Sequence, residues 1–248
     1  MEKKSYAVPA LIIGIAAIVS LVGSMYLFTD YKKSVGSSIS ATGSAELDLD
    51  SDLVVWRGNF SAQAETSKDA YDIIKNDAER AKRFLANNGI TESEMVFNSV
   101  NIIEKTESVY DANGYYKGSK FVGYELSQNV TVTSKDIDKV EKVSRDISQL
   151  LEDGVQFESN SPEYYCSTLS DSKLELIKLA TKNAKERIDI MAAEANASVG
   201  RLQNSKLGVF QIVAKNSGTS SYAYDGYLDT SSRKKTASIT VKLEYNIK

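Results

Sequence analysis

Apolar positions recur along this chain in three rhythms. The first is a continuous run. No charged residue occurs from Ser5 to Thr29, and the segment Ala7 to Phe28 is apolar all round. A helix of about 20 such residues spans the ~30 Å hydrocarbon of a bilayer, and an all-round apolar surface excludes an amphipathic surface helix. Pro9 falls in the first turn, where a missing N–H costs little. Secretory signals have a shorter apolar core, about 7–15 residues, ahead of a small-residue cleavage site. Here Tyr26 and Phe28 occupy the far end, as interfacial aromatics do. The expectation is an uncleaved single-pass transmembrane anchor over residues 1–33; a cleaved signal and a buried core helix are the rivals. Lys3 and Lys4 precede the run and Lys32 and Lys33 follow it, so charge bias alone does not orient it. A short head before a long tail favours the large domain on the extracytoplasmic (periplasmic or cell-surface) side.

The second rhythm has period two, the mark of half-buried strands. Ala45, Leu47 and Leu49 alternate with Glu46, Asp48 and Asp50, and Val54, Trp56, Phe60 and Ala62 with Val55, Arg57, Asn59 and Ser61. Residues 95–108 and 118–133 are expected as two strands joined through Asn113-Gly114, a turn pair that tolerates positive φ. In the second of them Val122, Tyr124, Leu126, Val130 and Val132 share one face. A short strand through Val155 and Phe157 and two more over 206–214 and 236–247 complete the set, the last with Ala237, Ile239, Val241, Leu243, Tyr245 and Ile247 on one side.

The third rhythm is helical. Ala70, Ile73, Ile74, Ala78, Ala81, Phe84 and Leu85 form a stripe, with Thr66 and Asp69 as a capping box and Gly89 as the stop. A second helix carries Ile137, Val140, Val143, Ile147, Leu150 and Leu151 inward and stops at Gly154. The longest runs over 171–197, lined by Leu174, Ile177, Ala180, Ala184, Ile188, Met191 and Ala195, capped by Ser170 or Ser172 and ended by Gly200. The stretches TSKDAYDIIK from Thr66 and TSKDIDKVEK from Thr133 each join a strand to a helix, a pseudo-repeat of βα type. Together these predict an α+β fold: antiparallel sheets with helices packed on one face. Residues 34–43, with GSSIS, read as a tether, and 44–248 as the folded domain, with possible subdomains 44–133 and 134–248.

Composition narrows the chemistry. Net charge is −3, which implies no basic surface and no nucleic-acid partner. The chain has no histidine, which removes His-based triads, His metal ligands and the usual base near neutral pH. The single cysteine, Cys166, cannot close an internal disulfide and reads as a buried small hydrophobe. The sharpest enzyme candidate is Ser170-x-x-Lys173 with Lys235-Thr236-Ala237, a partial match to the Ser-x-x-Lys and Lys-Thr-Gly elements of penicillin-interacting enzymes. Its middle element is missing and its glycine is alanine. The acidic pairs Asp48/Asp50 and Glu152/Asp153 lack the organised spacing of a calcium or glycosidase site. No enzyme, cofactor or metal site is expected.

One stretch has the composition of a contact surface. NSGTSSYAYDGYLDTSSRKK (216–235) sets Tyr222, Tyr224 and Tyr227 among small polar residues. Tyrosine offers large area with a polar tip and is enriched at interfaces. Interface, disorder and an extended hairpin all fit such a length. Tyr115 and Tyr116, beside the predicted turn, are candidates for the same role.

The segments GYELSQNVTVTSKDIDKV (123–140), GVQF (154–157), LIKLATKNAKERIDIMAAEANASVGRL (176–202), LGVFQI (207–212) and YDGYLDTSSRKK (224–235), in this order, resemble the SIMPL-domain family. The likeness covers about residues 41–247. Family members often carry alanine where Ile188 stands, and their helix end is Gly-terminated where this chain has EANAS. The resemblance implies an α+β fold in secreted or membrane-anchored bacterial envelope proteins, among them a periplasmic immunogenic antigen. Some of these assemble as ring- or channel-like homo-oligomers. It implies no catalytic residue and no cofactor. The expectation is therefore a membrane-anchored, extracytoplasmic, non-enzymatic homo-oligomer with a structural or stress-related envelope role. Its partners would be the lipid bilayer and its own copies, with other protein partners unknown. The alternative is a cell-surface binding module for a small molecule or peptide.

Overall fold

The computed structural model describes residues 7–35, 38–217 and 223–247, with side chains of the first helix described over 14–29. The elements are α1 (Ala7–Val35), β1 (Ser38–Asp50), β2 (Leu53–Ala64), α2 (Ser67–Asn87), β3 (Met95–Phe97), β4 (Asn101–Tyr110), β5 (Tyr116–Ser134) and α3 (Ile137–Asp146), which a 3-10 turn continues over Ile147–Leu151. There follow β6 (Gln156–Ser159), β7 (Glu163–Tyr165), α4 (Leu169–Glu194), β8 (Val199–Leu207), β9 (Gln211–Ala214), β10 (Tyr227–Leu228) and β11 (Lys234–Ile247). The class is α+β with antiparallel sheets; β9 and β10 form a parallel pair. Residues 38–43, expected in the tether, open β1 instead. The chain divides into two compact units, and not at residue 133: one gathers 1–46, 173–210 and 238–248, the other 47–172 and 211–237.

The larger unit is built on β2 and β5, paired antiparallel from Val54↔Ser134 to Ala64↔Tyr124. Alternate β2 residues Val54, Trp56, Phe60 and Ala62 are buried, as period two requires. They form one core with Ala70, Ile74, Ala81 and Leu85 of α2 and Ile137, Val140 and Val143 of α3, so both helices cover the same sheet face. Burying each large side chain there is worth roughly 1.5–3 kcal/mol. Gly58 falls between Trp56 and Phe60, and the Phe157 ring fills the space its side chain would take: a Cβ at Gly58 would lie 2.3 Å from that ring. Phe157 stacks on both Trp56 and Phe60 at 5.9 Å. The Trp56 Nε1 donates to Ser159 Oγ (3.0 Å), which donates to the Ser144 carbonyl (2.7 Å), so the indole is buried with its polar atom satisfied.

Local signals set the helix ends. Thr66 Oγ1 accepts from Asp69 N at 3.1 Å and donates to Asp69 Oδ2 at 2.6 Å, and Gly89 takes φ +83° after α2. In the second TSKD copy Thr133 and Ser134 finish β5, and Asp136 is the cap, accepting from Lys139 N at 3.1 Å. The same four letters thus do different work, and the pseudo-repeat does not extend to helix register. Leu151, expected inside, is exposed at the end of the 3-10 turn.

Glu94 fastens β3 to the β5–α3 corner. It accepts from Ser134 Oγ (2.5 Å), Thr91 N (2.9 Å) and Lys139 Nζ (3.3 Å). The Ser134 hydroxyl, with Thr91 and Lys139, holds the Glu94 pKa down at about 2 against 4.5 ordinarily.

In the smaller unit α4 buries Leu176, Ala180, Ala184, Ile188 and Ala192. These are four apart, so the buried row leans across the helix; the expected outer members Leu174 and Met191 are exposed. The helix backbone lies directly on β1: a Cβ at Gly43 would stand 2.2 Å from Ala184 N and 2.3 Å from the Ala180 carbonyl. Asn183 Oδ1 accepts from Ser44 N (3.2 Å), and Arg187 donates to the Thr42 carbonyl (3.0 Å). α4 begins at Leu169, ahead of both serines expected to cap it. Past its last residue, Glu194, Asn196 takes φ +53° and supports bonds from Ala197 N to the Ala192 carbonyl and from Asn196 N to the Ala193 carbonyl. Gly200, the expected stop, lies in β8, which pairs antiparallel with β11 from Val241↔Leu207 to Ile247↔Val199. The described side chains of α1 are exposed. Among the described residues no helix is long and apolar enough to cross a membrane.

Two outcomes follow. Gly43→Ala must push the helix off β1 and should cost about 3 kcal/mol, read as a lowered midpoint in urea unfolding followed by circular dichroism. Glu94 has a depressed pKa in the fold, so its contribution is complete above about pH 4.5 and disappears as pH falls through about 2. It amounts to at most about 3 kcal/mol. Glu94→Gln should lower stability at neutral pH and flatten the acid limb between pH 5 and 2.

Candidate functional site

β5 is longer than the strand that supports it. β2 stops at Ala64↔Tyr124, but β5 continues outward to Tyr116, paired among the described residues only with β4. The exit is shaped by Gly123, at φ +138°, where a Cβ would meet the Ala64 carbonyl at 2.5 Å. The β4 pairing steps from Lys105↔Gly123 to Thr106↔Phe121, leaving Val122 as a bulged residue, and from Val109↔Gly118 to Tyr110↔Tyr116, leaving Lys117. This corrects the regular alternation expected here: Gly123 is buried and Val122 is exposed.

The arm has two unlike faces. One carries Thr106 with Phe121, Ser108 with Ser119, and Tyr110 with Tyr116. Its rings meet edge to face, Phe121 with Tyr124 at 5.2 Å and Tyr110 with Tyr116 at 5.9 Å. The other carries Ile103, Lys105, Glu107 and Val109, with Lys105 Nζ 2.7 Å from Glu125. At the tip Asp111 Oδ1 accepts from Asn113 N (3.0 Å) and Tyr115 N (2.9 Å), and Gly114 alone takes positive φ. The Tyr115 amide leads the causes that hold the Asp111 pKa below the ordinary value. Tyr115 and Tyr116 are both exposed there.

The second tyrosine group lies between β9 and β11. Tyr222 is outside the described residues. Tyr224 is fully exposed, and Tyr227 opens β10, in register with Gln211 of β9. The buried Gln211 side chain holds this connection: Nε2 donates to the Ala223 carbonyl (2.6 Å), and Oε1 accepts from Ala223 N (3.1 Å). Among the described residues no ring contact joins the two tyrosine groups.

Both lysines of the enzyme candidate are engaged elsewhere. Lys173 Nζ lies 5.3 Å from the centre of the Phe210 ring. Lys235 is 1% exposed and donates to the Ser232 carbonyl. Its burial was legible by parity, since it continues the inward row of Ala237, Ile239, Val241 and Leu243. Burial pushes its pKa down, against the opposing pull of Asp229 and Cys166. Burial would raise Asp229, but hydrogen bonds from Ser231 and Ser232 outweigh it and the pKa is lowered. Asp229 Oδ2 is buried without a hydrogen-bond partner. Cys166 is half-buried, its sulfur 3.7 Å from Ser51 Oγ and from the Asp50 carbonyl, which is more polar company than a buried hydrophobe keeps.

The SIMPL family model, described as a protein of unknown function (DUF541), matches residues 39–245. The chain belongs to the SIMPL family. The match takes in the β4–β5 arm and both tyrosine groups of this SIMPL chain, and begins after α1. No curated protein matches the chain.

The buried lysine makes a pH signature. The unfolded chain holds the Lys235 proton up to about pH 10.5, and the fold sheds it earlier. Between neutral pH and 10.5 the wild type should therefore gain stability relative to Lys235→Met, checked by denaturant unfolding at a series of pH values.

Proposed function

We propose that this SIMPL-family chain is a membrane-anchored, extracytoplasmic protein that self-associates and works by contact, with a structural or stress-related role in the cell envelope. The observation that carries this is the β4–β5 arm, which exposes Ile102, Ile103, Tyr110, Tyr115, Tyr116 and Phe121. An isolated two-stranded hairpin is marginally stable in water, and large apolar side chains on such a ribbon are the pattern of a surface that meets a partner. The uncharged run from Ser5 to Thr29 supports the anchor. Anchoring supplies the rest of the mechanism: chains tethered to one surface meet at high effective concentration, so a small contact suffices. The absence of histidine fits a role without acid–base chemistry.

A second reading has an observation of its own. An open groove of about 370 Å³ lies at the root of the arm, lined by Ala64, Lys105, Thr106, Val122 and Tyr124 among others. That volume suits a small ligand, and none of the four described candidate tyrosines lines it. The full chain in detergent, studied by light scattering, should give a particle larger than one chain in its micelle, and protease added to intact cells should digest the folded domain. A monomer at high concentration overturns self-association, and a protected domain overturns the orientation. A monomer that small molecules stabilise in a thermal-shift screen supports the second reading.

A further inference from the structure

The two strands of the arm treat their free edges differently. β5 beyond Tyr124 is irregular, with bulged residues Val122 and Lys117, positive φ at Gly118 and Gly123, and lysines at 117 and 120. Bulges and lysines are the usual means of blocking edge-to-edge pairing. β4 has no bulge and no positive φ, and its charged residues are Glu104, Lys105 and Glu107. Both irregularities lie on β5, so β4 is a regular strand from Asn101 to Tyr110, and among the described residues its outer edge pairs with no strand. It contains no proline, and its one lysine, Lys105, already pairs with Glu125.

We infer that the outer edge of β4 pairs antiparallel with β4 of a second copy about a two-fold axis at Thr106, joining two arms into one four-stranded ribbon. This rests on the self-association proposed above and names its element and register. A two-fold axis normal to the ribbon keeps each face on its own side, so only residues of equal parity can lie opposite. With Thr106 on the axis, Lys105 lies opposite Glu107 of the second copy, twice over. Ile103 then meets Val109, Ile102 meets Tyr110, and Glu104 meets Ser108. Moving the axis by one residue sets Lys105 against Lys105 or Glu107 against Glu107, like charges that oppose pairing. Only the Thr106 register combines opposite charges with apolar pairs. It also satisfies roughly eight to ten outward backbone groups in each chain, an N–H and a C=O on alternate residues. The edge is about 30 Å long at ~3.3 Å per residue, so the contact is well below the roughly 800 Å² per partner of a standard stable interface. The pairing therefore depends on chains held on one surface.

The test uses the full chain in detergent micelles on a Cys166→Ser background. In the Thr106 register Thr106→Cys places two thiols directly opposite, about 4.5–5.5 Å apart between Cα atoms, within reach of a disulfide. Mild oxidation should give a covalent dimer from Thr106→Cys and none from Glu104→Cys. Lys105→Glu and Glu107→Lys should each raise the dissociation constant about tenfold, with the hairpin checked by circular dichroism. Mixing the two single variants, or combining both changes in one chain, should restore association. Cross-linking from Lys105→Cys or Glu107→Cys in place of Thr106→Cys overturns the register. Association that ignores the charge variants and gives no Thr106 cross-link overturns the edge pairing and leaves self-association standing. A wild-type chain that scatters as a monomer overturns both.

Discussion

The antiparallel pairing of β2 with β5 is the constraint on which the larger unit depends. It is unbroken from Val54↔Ser134 to Ala64↔Tyr124 and lays the buried row of β2 beside Leu126, Val130 and Val132. α2 and α3 can then cover one apolar face, and Phe157 can lie over Gly58 between two other rings. The same pairing fixes where support ends. Past Ala64 no β2 residue remains, and the backbone at Gly123 turns away beneath the Ala64 carbonyl. The arm is what β5 becomes once its inner neighbour stops.

Close approach, more than bulk, organises the smaller unit. α4 meets β1 through Ala180 and Ala184, and Gly43 admits the helix backbone itself. Backbone contact at that distance fixes position more tightly than interdigitated long side chains, and Asn183 and Arg187 reinforce it by bonding to β1. The alanine-rich stretch of α4 is thereby a packing feature of the fold.

Much of this was legible in the sequence where burial is one-sided. Period alone points Trp56, Phe60, Ile74, Leu85, Val140 and Ile239 inward, and each is buried. Legibility fails where burial does not alternate. β8 is exposed or half-buried along its length, so it has no periodic signal, and its Gly200 resembles a helix stop. β4 is exposed on both faces apart from the half-buried Lys105; it was found through its turn, and nothing in its pattern showed that it stands clear of the core. The bulge at Val122 was hidden because Val122, Tyr124 and Leu126 alternate as a regular strand does; only the φ of Gly123 breaks the phase. Asn196 ended α4 in place of a glycine because asparagine also tolerates the left-handed region. Of the candidate tyrosines, Tyr115, Tyr116, Tyr224 and Tyr227 proved exposed, in two separate groups, and Tyr222 lies outside the described residues.

The division of the chain has a temporal consequence. Neither unit is a continuous segment: each combines early residues with a stretch of β11, 234–237 in one and 238–247 in the other. As the polypeptide leaves the ribosome, the core of the larger unit can assemble from residues 54–157 alone, whereas β8 of the smaller unit waits for β11. Until then β8 lacks the strand it pairs with, and the inward row of Ile239, Val241 and Leu243 is missing from the smaller unit. Completion of the smaller unit is thus gated by β11, and a translation product interrupted ahead of it would carry the larger unit's core and an unfinished smaller unit.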